Sequence, residues 1–309
     1  VYKFYRTSFW ELRNYDENFS NLVVEELVNQ VLTRPQFNYY NGSTTLGATY
    51  DFGLDYKLFL NYSIASRTPN PSELFSEGLH HSTARIEYGN LEFNSEVGHK
   101  LSLAIERINE NFSFSLNPFI NTISDFILIE PVGINNSIRG TFPVWEYRQT
   151  NAQLLGIDLN ASFTFSKGIR FNHRSAIMKG YARLLDESLI NMPPINTSNE
   201  IVYYNSKFKN LRLAVQSEYV FRQNEYPDTN FEIYIPQTET MELLDVSSPS
   251  NAYHLINFNS TIDFNFSEKS KLRLSFGISN LFNTPYRNYL NRLRFYANDL
   301  GRNFLLNIK

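Results

Sequence analysis

Imidazole and carboxylate groups are the side chains of this sequence best suited to metal or acid–base chemistry, and they are few and scattered. The chain holds five histidines, His80, His81, His99, His173 and His254, and no cysteine. His80 and His81 fall in one stretch with Glu77, Glu87 and Glu92. Imidazole with carboxylate suits zinc and iron, so His80, His81, Glu77 and Glu87 are the candidates for contact with a metal or metal chelate. Neighbouring residues of a strand point to opposite faces, so the two rings cannot easily share one ion. The other reading of the stretch is a polar surface loop. No nucleophile elbow, zincin helix or phosphate-binding lysine loop is present, and the lack of cysteine excludes thiolate chemistry and disulfides. We therefore expect no catalytic residue, no resident metal centre and no cofactor.

The elements that must carry these residues follow a period of two. Leu272, Leu274, Phe276 and Ile278 alternate with Arg273, Ser275, Gly277 and Ser279. Ile157, Leu159, Ala161, Phe163 and Phe165 alternate with Asp158, Asn160, Ser162 and Thr164, and Leu211, Leu213 and Val215 with Arg212 and Gln216. Such alternation lays the apolar side chains on one face of a strand. The opposite face recurs as Asn, Ser, Thr, Arg and Asp, too polar for a packed core. Arg148, Asp158, Arg174, Arg212, Glu218 and Arg273 are its charged members, of mixed sign, which suits a solvated wall rather than an anion channel.

Connections alternate between short and long. Short ones lie near 53–55, 109–111, 166–168, 208–210 and 267–270, and long ones at about 14–43, 67–96, 130–144, 186–198, 223–252 and 283–299. Twelve strands result, at about 1–13, 44–52, 56–66, 97–107, 112–129, 145–165, 169–185, 199–207, 211–222, 253–266, 271–282 and 300–309. Leu22, Val23, Leu27, Val28, Val31 and Leu32 break the pattern with helical spacing and predict a short loop helix.

Composition narrows the class. The 309 residues carry 26 Phe and 20 Tyr, a net charge of −3 and 19% charged residues, and mean hydropathy is −0.35. No apolar run approaches the roughly 18 to 20 residues of a spanning helix, and no charged-then-apolar leader precedes the first strand. The near-neutral charge without a basic tract excludes nucleic acid as the main partner. An antiparallel meander with tight turns at one end, long loops at the other and rings near strand ends is the pattern of a transmembrane β-barrel. A soluble β-sandwich also alternates, but with shorter strands and more even loops.

One stretch adds a resemblance. Arg67-Thr68-Pro69-Asn70-Pro71-Ser72-Glu73-Leu74-Phe75, followed by Gly89-Asn90 and Glu96, resembles the signature of TonB-dependent outer-membrane receptors, R-x-P-x-x-x-E-L-F and then G-N-x-x-x-x-x-E. Ser124-Asp125-Phe126-Ile127, Tyr147 to Asn151 with Gly156-Ile157-Asp158, and Ser279-Asn280-Leu281-Phe282-Asn283 with Gly301-Arg302-Asn303-Phe304 follow in the family's order, Gln149 and Asp158 being mild departures. The resemblance runs from about residue 38 to 309. It implies a 22-stranded barrel plugged by an N-terminal domain. Residues 1–309 would then be the C-terminal half of that barrel, with the plug and first strands outside this chain. Lys309, where such barrels finish on an aromatic residue, implies that a few further residues follow.

The resemblance further implies active import across the outer membrane of a scarce small molecule. Its partners would be the plug domain of the same protein, the TonB energy-coupling complex, the ligand and outer-membrane lipid. The His-bearing loop points to a metal chelate such as a ferric siderophore, haem or zinc, while cobalamin or a glycan stays open. The alternatives are a self-contained twelve-stranded barrel acting as a hydrolase or secretion pore, and a structural subunit of an outer-membrane complex. Arg67 and Glu73 are expected to pair at a loop base, and the polar strand faces to meet the plug.

Overall fold

The computed structural model describes residues 2–5, 8–11, 30–33, 36–137, 140–182, 187–235, 238–267 and 270–309. Its strands are β1 (Tyr2–Tyr5), β2 (Ser8–Glu11), β3 (Gln30–Thr33), β4 (Gln36–Tyr39), β5 (Ser43–Gly53), β6 (Tyr56–Arg67), β7 (Glu77–His80), β8 (Arg85–Tyr88), β9 (Glu96–Arg107) and β10 (Phe112–Ser137). They continue as β11 (Gly140–Ser166), β12 (Ile169–Ala182), β13 (Glu187–Ser188), β14 (Asn196–Asn205), β15 (Leu211–Val220), β16 (Phe231–Ile235), β17 (Thr240–Leu244), β18 (Tyr253–Ser267), β19 (Ser270–Ser279) and β20 (Asn303–Ile308). Among the described residues, the one helix is Pro71–Phe75.

The wall is a single antiparallel path, β5-β6-β9-β10-β11-β12-β14-β15-β18-β19-β20. Consecutive wall strands are neighbours throughout, the arrangement that short turns enforce. The turns carry the backbone chemistry they need. Gly53, Leu54 and Asp55 all have positive φ, and the Asp51 carboxylate accepts the Gly53 N–H at 2.8 Å. Lys209 and Asn210 do the same between β14 and β15, where Asn is one of the few residues that tolerates the left-handed region.

Register places like with like across the wall. Leu46 faces Tyr62, Tyr62 faces Leu101, Leu101 faces Ile120 and Ile120 faces Leu155. Further along, Ile201 faces Val215, Val215 faces Phe258, Phe258 faces Ile278 and Ile278 faces Phe304. Most of these apolar side chains are exposed, Leu46 to 76% and Ile201 to 57%, and the others are half-buried, so among the described residues nothing covers this face. The other face is tied by hydrogen bonds. Ser162 donates to Asn172 (2.9 Å), and Asn172 and Arg212 both donate to Glu200 (2.9 Å each). Arg273 grips Asp263 through Nε and Nη2 at 2.7 and 2.8 Å.

Eleven of the twelve expected strands stand in the wall. The expected first strand, 1–13, does not: its described parts are β1 and β2, which pair with β4 and β3 outside the wall. The expected helix fails where it can be seen, since Val31 and Leu32 lie in β3. Leu22, Val23, Leu27 and Val28 lie outside the described residues. The stretch 130–144, read as a loop from its Pro and Asn content, is a continuation of β10 and β11 that pairs nearly to its tip. A register irregularity between Pro131 and Gly133 absorbs the proline, as prolines in sheets require.

Both ends of the wall are open among the described residues. β5 and β20 each pair on one side, and all their residues are exposed.

Candidate functional site

The long connections gather at one end of the wall and form a cap. Its base is the segment that follows β6. Asn70 caps the helix Pro71–Phe75: its Oδ1 accepts the Glu73 N–H at 3.0 Å, and the Glu73 carboxylate accepts the Asn70 N–H at 2.8 Å. This reciprocal box, with Pro71 at the first turn, fixes where the helix starts. Arg67 then binds two carboxylates at once. Nε and Nη2 take both oxygens of Glu96 at 2.7 and 2.6 Å, and Nη1 reaches Glu73 at 3.0 and 3.1 Å. Glu96 also accepts the Ile127 N–H at 2.7 Å. The expected pair of Arg67 with Glu73 is present, and Glu96 is a third partner that pair reading missed. The shared motif spacing of Arg67, Glu73 and Glu96 was the available signal.

Gly89 and Asn90 close the same unit. Asn90 donates its N–H to the Glu73 carbonyl at 2.9 Å and Gly89 to the Ser76 carbonyl at 2.7 Å. A Cβ on Gly89 would stand 2.7 Å from the Glu73 carbonyl oxygen and from the carbonyl carbon of Leu74. The backbone therefore approaches the helix too closely for any side chain. Leu74, Phe93 and Ile127 pack beneath, with Phe37 and Tyr39 of β4 against them.

Above this base the loops interlock. β8 runs parallel to β11, with Ile86 opposite Val144 and Glu87 opposite Trp145. Trp145, Ile190 and Val246 form one buried cluster with Phe231 and Leu244 of the hairpin β16–β17. Leu189 and Met192 settle on Ala152, Ala182 and Leu128, and Gly180 leaves the room: a Cβ there would meet the Met192 sulfur at 2.5 Å. Glu225 pairs with Lys179 and accepts from the Tyr181 hydroxyl at 2.8 Å, holding the connection after β15 to the wall. The Lys179 ammonium and then the Tyr181 hydroxyl hold the Glu225 carboxyl below the usual carboxylate range.

The expected metal-contact residues separate into two kinds. Glu87 is 2% exposed and is committed to arginines: Arg85 Nε and Nη2 stand 2.6 and 2.5 Å from its Oε1, and Arg292 3.7 Å. His80 Nε2 comes within 3.7 Å of the other oxygen, Oε2. His81 is exposed in the turn after β7, and Glu77 lies at the start of β7 opposite Tyr88. Among the described residues no group of three or more His, Asp or Glu side chains is placed to hold a metal ion.

The remaining chemistry of the cap is cationic and aromatic. Arg85 stacks over Trp145 at 4.7 Å. Arg294 stacks over the rings of Tyr289 and Phe295, 4.5 and 4.3 Å from their centres. Burial pulls the Arg85 and Arg294 guanidinium groups below their ordinary values and pushes the Tyr289 hydroxyl up. Neither Arg292 nor Arg294 was marked from sequence, because nothing in their spacing says that the last long loop folds back over the cap.

Asp158, Arg174, Arg212, Glu218 and Arg273 share the non-apolar side of β11, β12, β15 and β19. Arg212 is paired with Glu200 and Arg273 with Asp263, while Arg148 pairs with Glu146 at 3.2 Å on the prolongation of β11.

Comparison with known proteins agrees with this architecture. Solved structures similar to the chain include the copper transporter OprC, 17% identical with a TM-score of 0.66, over 89% of this chain and 39% of that one. The siderophore receptor PirA from Pseudomonas aeruginosa is 15% identical with a TM-score of 0.56, over 86% of this chain and 41% of that one. The FrpB iron transporter from Neisseria meningitidis is 14% identical with a TM-score of 0.57, over 90% of this chain and 39% of that one. The chain thus spans about two-fifths of the length of these structures, and at such identity they share its fold. No curated protein matches the chain. The family described as "TonB dependent receptor-like, beta-barrel" matches residues 9–281, and with most of its length covered the chain belongs to that family.

Proposed function

We propose that this chain is the C-terminal part of an outer-membrane barrel that imports a scarce metal chelate with energy passed through TonB. The observation that carries the reading is the wall itself: one face of exposed apolar ladders, the other of hydrogen-bonded polar side chains, topped by interlocked loops. A bilayer leaves no backbone polar group unpaired, so the open edges at β5 and β20 call for further strands of the same protein to complete a barrel. The polar face, with Asp158, Arg174, Arg212, Glu218 and Arg273, is suited to hydrogen-bond an N-terminal plug. Arg148 stands nearer the cap and meets the plug's apex or the ligand.

A ligand arriving from outside meets the cap first. His80 and His81 are exposed and would offer imidazole to a metal complex, and Glu77, also exposed, adds a carboxylate at the start of β7. Glu87 acts behind them by holding Arg85 and Arg292 in place. The similar structures named for copper and for siderophore or iron transport fit a metal-bearing ligand such as a ferric siderophore.

Growth of a strain lacking the full-length gene tests this reading, on media restricted in iron, copper or zinc and supplied with defined chelates. Poor growth on one metal source, rescued by the gene only when TonB is present, is the expected result. Equal growth of deletion and parent strains on every source would overturn the import reading.

A further inference from the structure

The last long loop, 283–299, buries a charge without completing its hydrogen bonds. Arg294 is 5% exposed. Its Nη1 donates to the Tyr289 carbonyl at 2.6 Å and to Asn191 Oδ1 at 3.4 Å. Nε and Nη2 are shielded from solvent and have no acceptor. On a guanidinium these two atoms share one edge, the edge that receives the two oxygens of a carboxylate side by side. The guanidinium carbon also lies over the rings of Tyr289 and Phe295, and the Nε–Nη2 edge is the part of the group left without a partner. A buried charge whose donors stay idle is unfavourable, and an acceptor brought to it relieves that.

Arg294 also forms part of the wall of a cavity of about 370 Å³ between the segments 245–253 and 285–298, a size in the usual range for small-ligand sites. Arg287 lines the same cavity, with its own N–H groups on Asn298 Oδ1 and on the carbonyls of Arg294 and Phe295. These partners are neutral, so its charge is not cancelled by them. Asp245 is the acidic residue on the wall, and its Oδ1 accepts the Ser248 N–H at 2.9 Å. The apolar side is made by Tyr253 and Tyr286, their rings 4.6 Å apart.

We propose that this cavity is a subsite for a small planar carboxylate carried on an aromatic ring. The Nε–Nη2 edge of Arg294 pairs with its two oxygens, Arg287 adds a second positive charge, and Tyr286 packs on its ring. The inference rests on the reading of the cap as a ligand-receiving surface and names a chemical class for one part of it. Both donors are shielded from solvent, so pairing requires the side chain to turn its Nε–Nη2 edge to the cavity when the carboxylate enters.

The test is titration of the full-length protein in detergent with benzoate, and with benzyl alcohol as the uncharged counterpart. Benzoate should bind about tenfold or more tightly than the alcohol, the ratio expected of hydrogen bonds to a charged group. Arg294→Lys keeps the charge but loses the fork, and should remove that advantage. Should Arg294→Lys fail to fold, as judged by near-ultraviolet circular dichroism, Tyr286→Ala takes its place and should weaken benzoate severalfold. Equal binding of acid and alcohol, or benzoate affinity unchanged in the folded variant, would overturn the subsite. An Arg294-dependent preference for benzoate in a protein whose deletion leaves growth on every metal source unaltered would sink the import reading and leave the subsite standing.

Discussion

Arg67 and Glu96 meet edge to edge across the junction of wall and cap, with Nε and Nη2 at 2.7 and 2.6 Å from the two carboxylate oxygens. Arg67 closes β6 and Glu96 opens β9, neighbouring strands of the wall in which the two residues lie opposite each other in register. The same carboxylate caps the Ile127 N–H of the next strand, and the same guanidinium holds Glu73 of the helix. Three strands and the first turn of the loop are joined at one point.

Removing this joint has a graded cost. Glu96→Ala leaves the Nε–Nη2 edge of the Arg67 guanidinium and the Ile127 N–H without acceptors while Nη1 keeps Glu73, and should destabilise by about 2 kcal/mol, below the range for fully buried pairs because Arg67 is half exposed. Arg67→Lys should recover only part of the pairing, because an ammonium cannot fork. Thermal unfolding in detergent, followed by the loss of compact mobility on unheated gels, measures both. A Glu96→Ala protein as stable as the parent would contradict the joint.

Gly89 makes a second expectation. A Cβ at 2.7 Å from backbone atoms of Glu73 and Leu74 cannot be relieved by turning a flexible side chain. Gly89→Ala should cost about 1–3 kcal/mol in local stability, as overpacking does, and should open 67–96 to limited proteolysis while the wall stays intact. Cleavage at the parental rate would show that the helix can shift.

The two faces of the wall should respond oppositely to charge. Ile157 stands on the apolar face between Pro118 and Ile177. Ile157→Arg should cost about 2–4 kcal/mol, the range for arginine facing lipid at mid-depth. Asn117→Lys, on the polar face opposite Asp158, should be close to neutral. Folding into lipid vesicles under a urea series distinguishes them, and equal effects of the two would place lipid on neither face.

Acid should loosen the cap at the Glu225 contact. Its carboxyl is held below the ordinary carboxylate value by Lys179 and Tyr181. A depressed folded value means that the contribution is fully present above the unfolded carboxylate range and is lost as pH falls through the folded value. Protease access to 223–252 should therefore rise on acidification, and Glu225→Gln should be more accessible at neutral pH with a weaker dependence on acid. An identical pH profile in the variant would assign the change to other groups.

The wall was legible in the chain because side-chain alternation and turn residues are local. Leu272 to Ser279 and Ile157 to Thr164 state their two faces in eight residues each, and Gly53, Gly168 and Asn210 mark where the chain reverses. The motif around Arg67, Glu73 and Glu96 was equally visible, as spacing. The extent of β10 and β11 was not. Pro131, Pro143, Asn135 and Asn136 read as a loop one by one, yet each strand supplies the other's missing hydrogen bonds across the register from Phe112–Phe163 to Ser137–Gly140.

The cap lay beyond local reading for a different reason. His80 and Glu87 stood out by type, but whether Glu87 was open to a metal or already taken depended on the burial of β8, which holds Arg85 against it, and on Arg292, more than two hundred residues away. Arg294 becomes a shielded charge because Tyr289 and Phe295 of its own loop stack on it and Asn191, from a loop far away in sequence, meets it from the other segment. By itself the sequence determined an all-β wall with two unlike faces, since strand period and turn chemistry act over a few residues. Only the tertiary structure decided which charges are paired and which are left waiting, since that depends on loops distant in sequence closing over the same few ångströms.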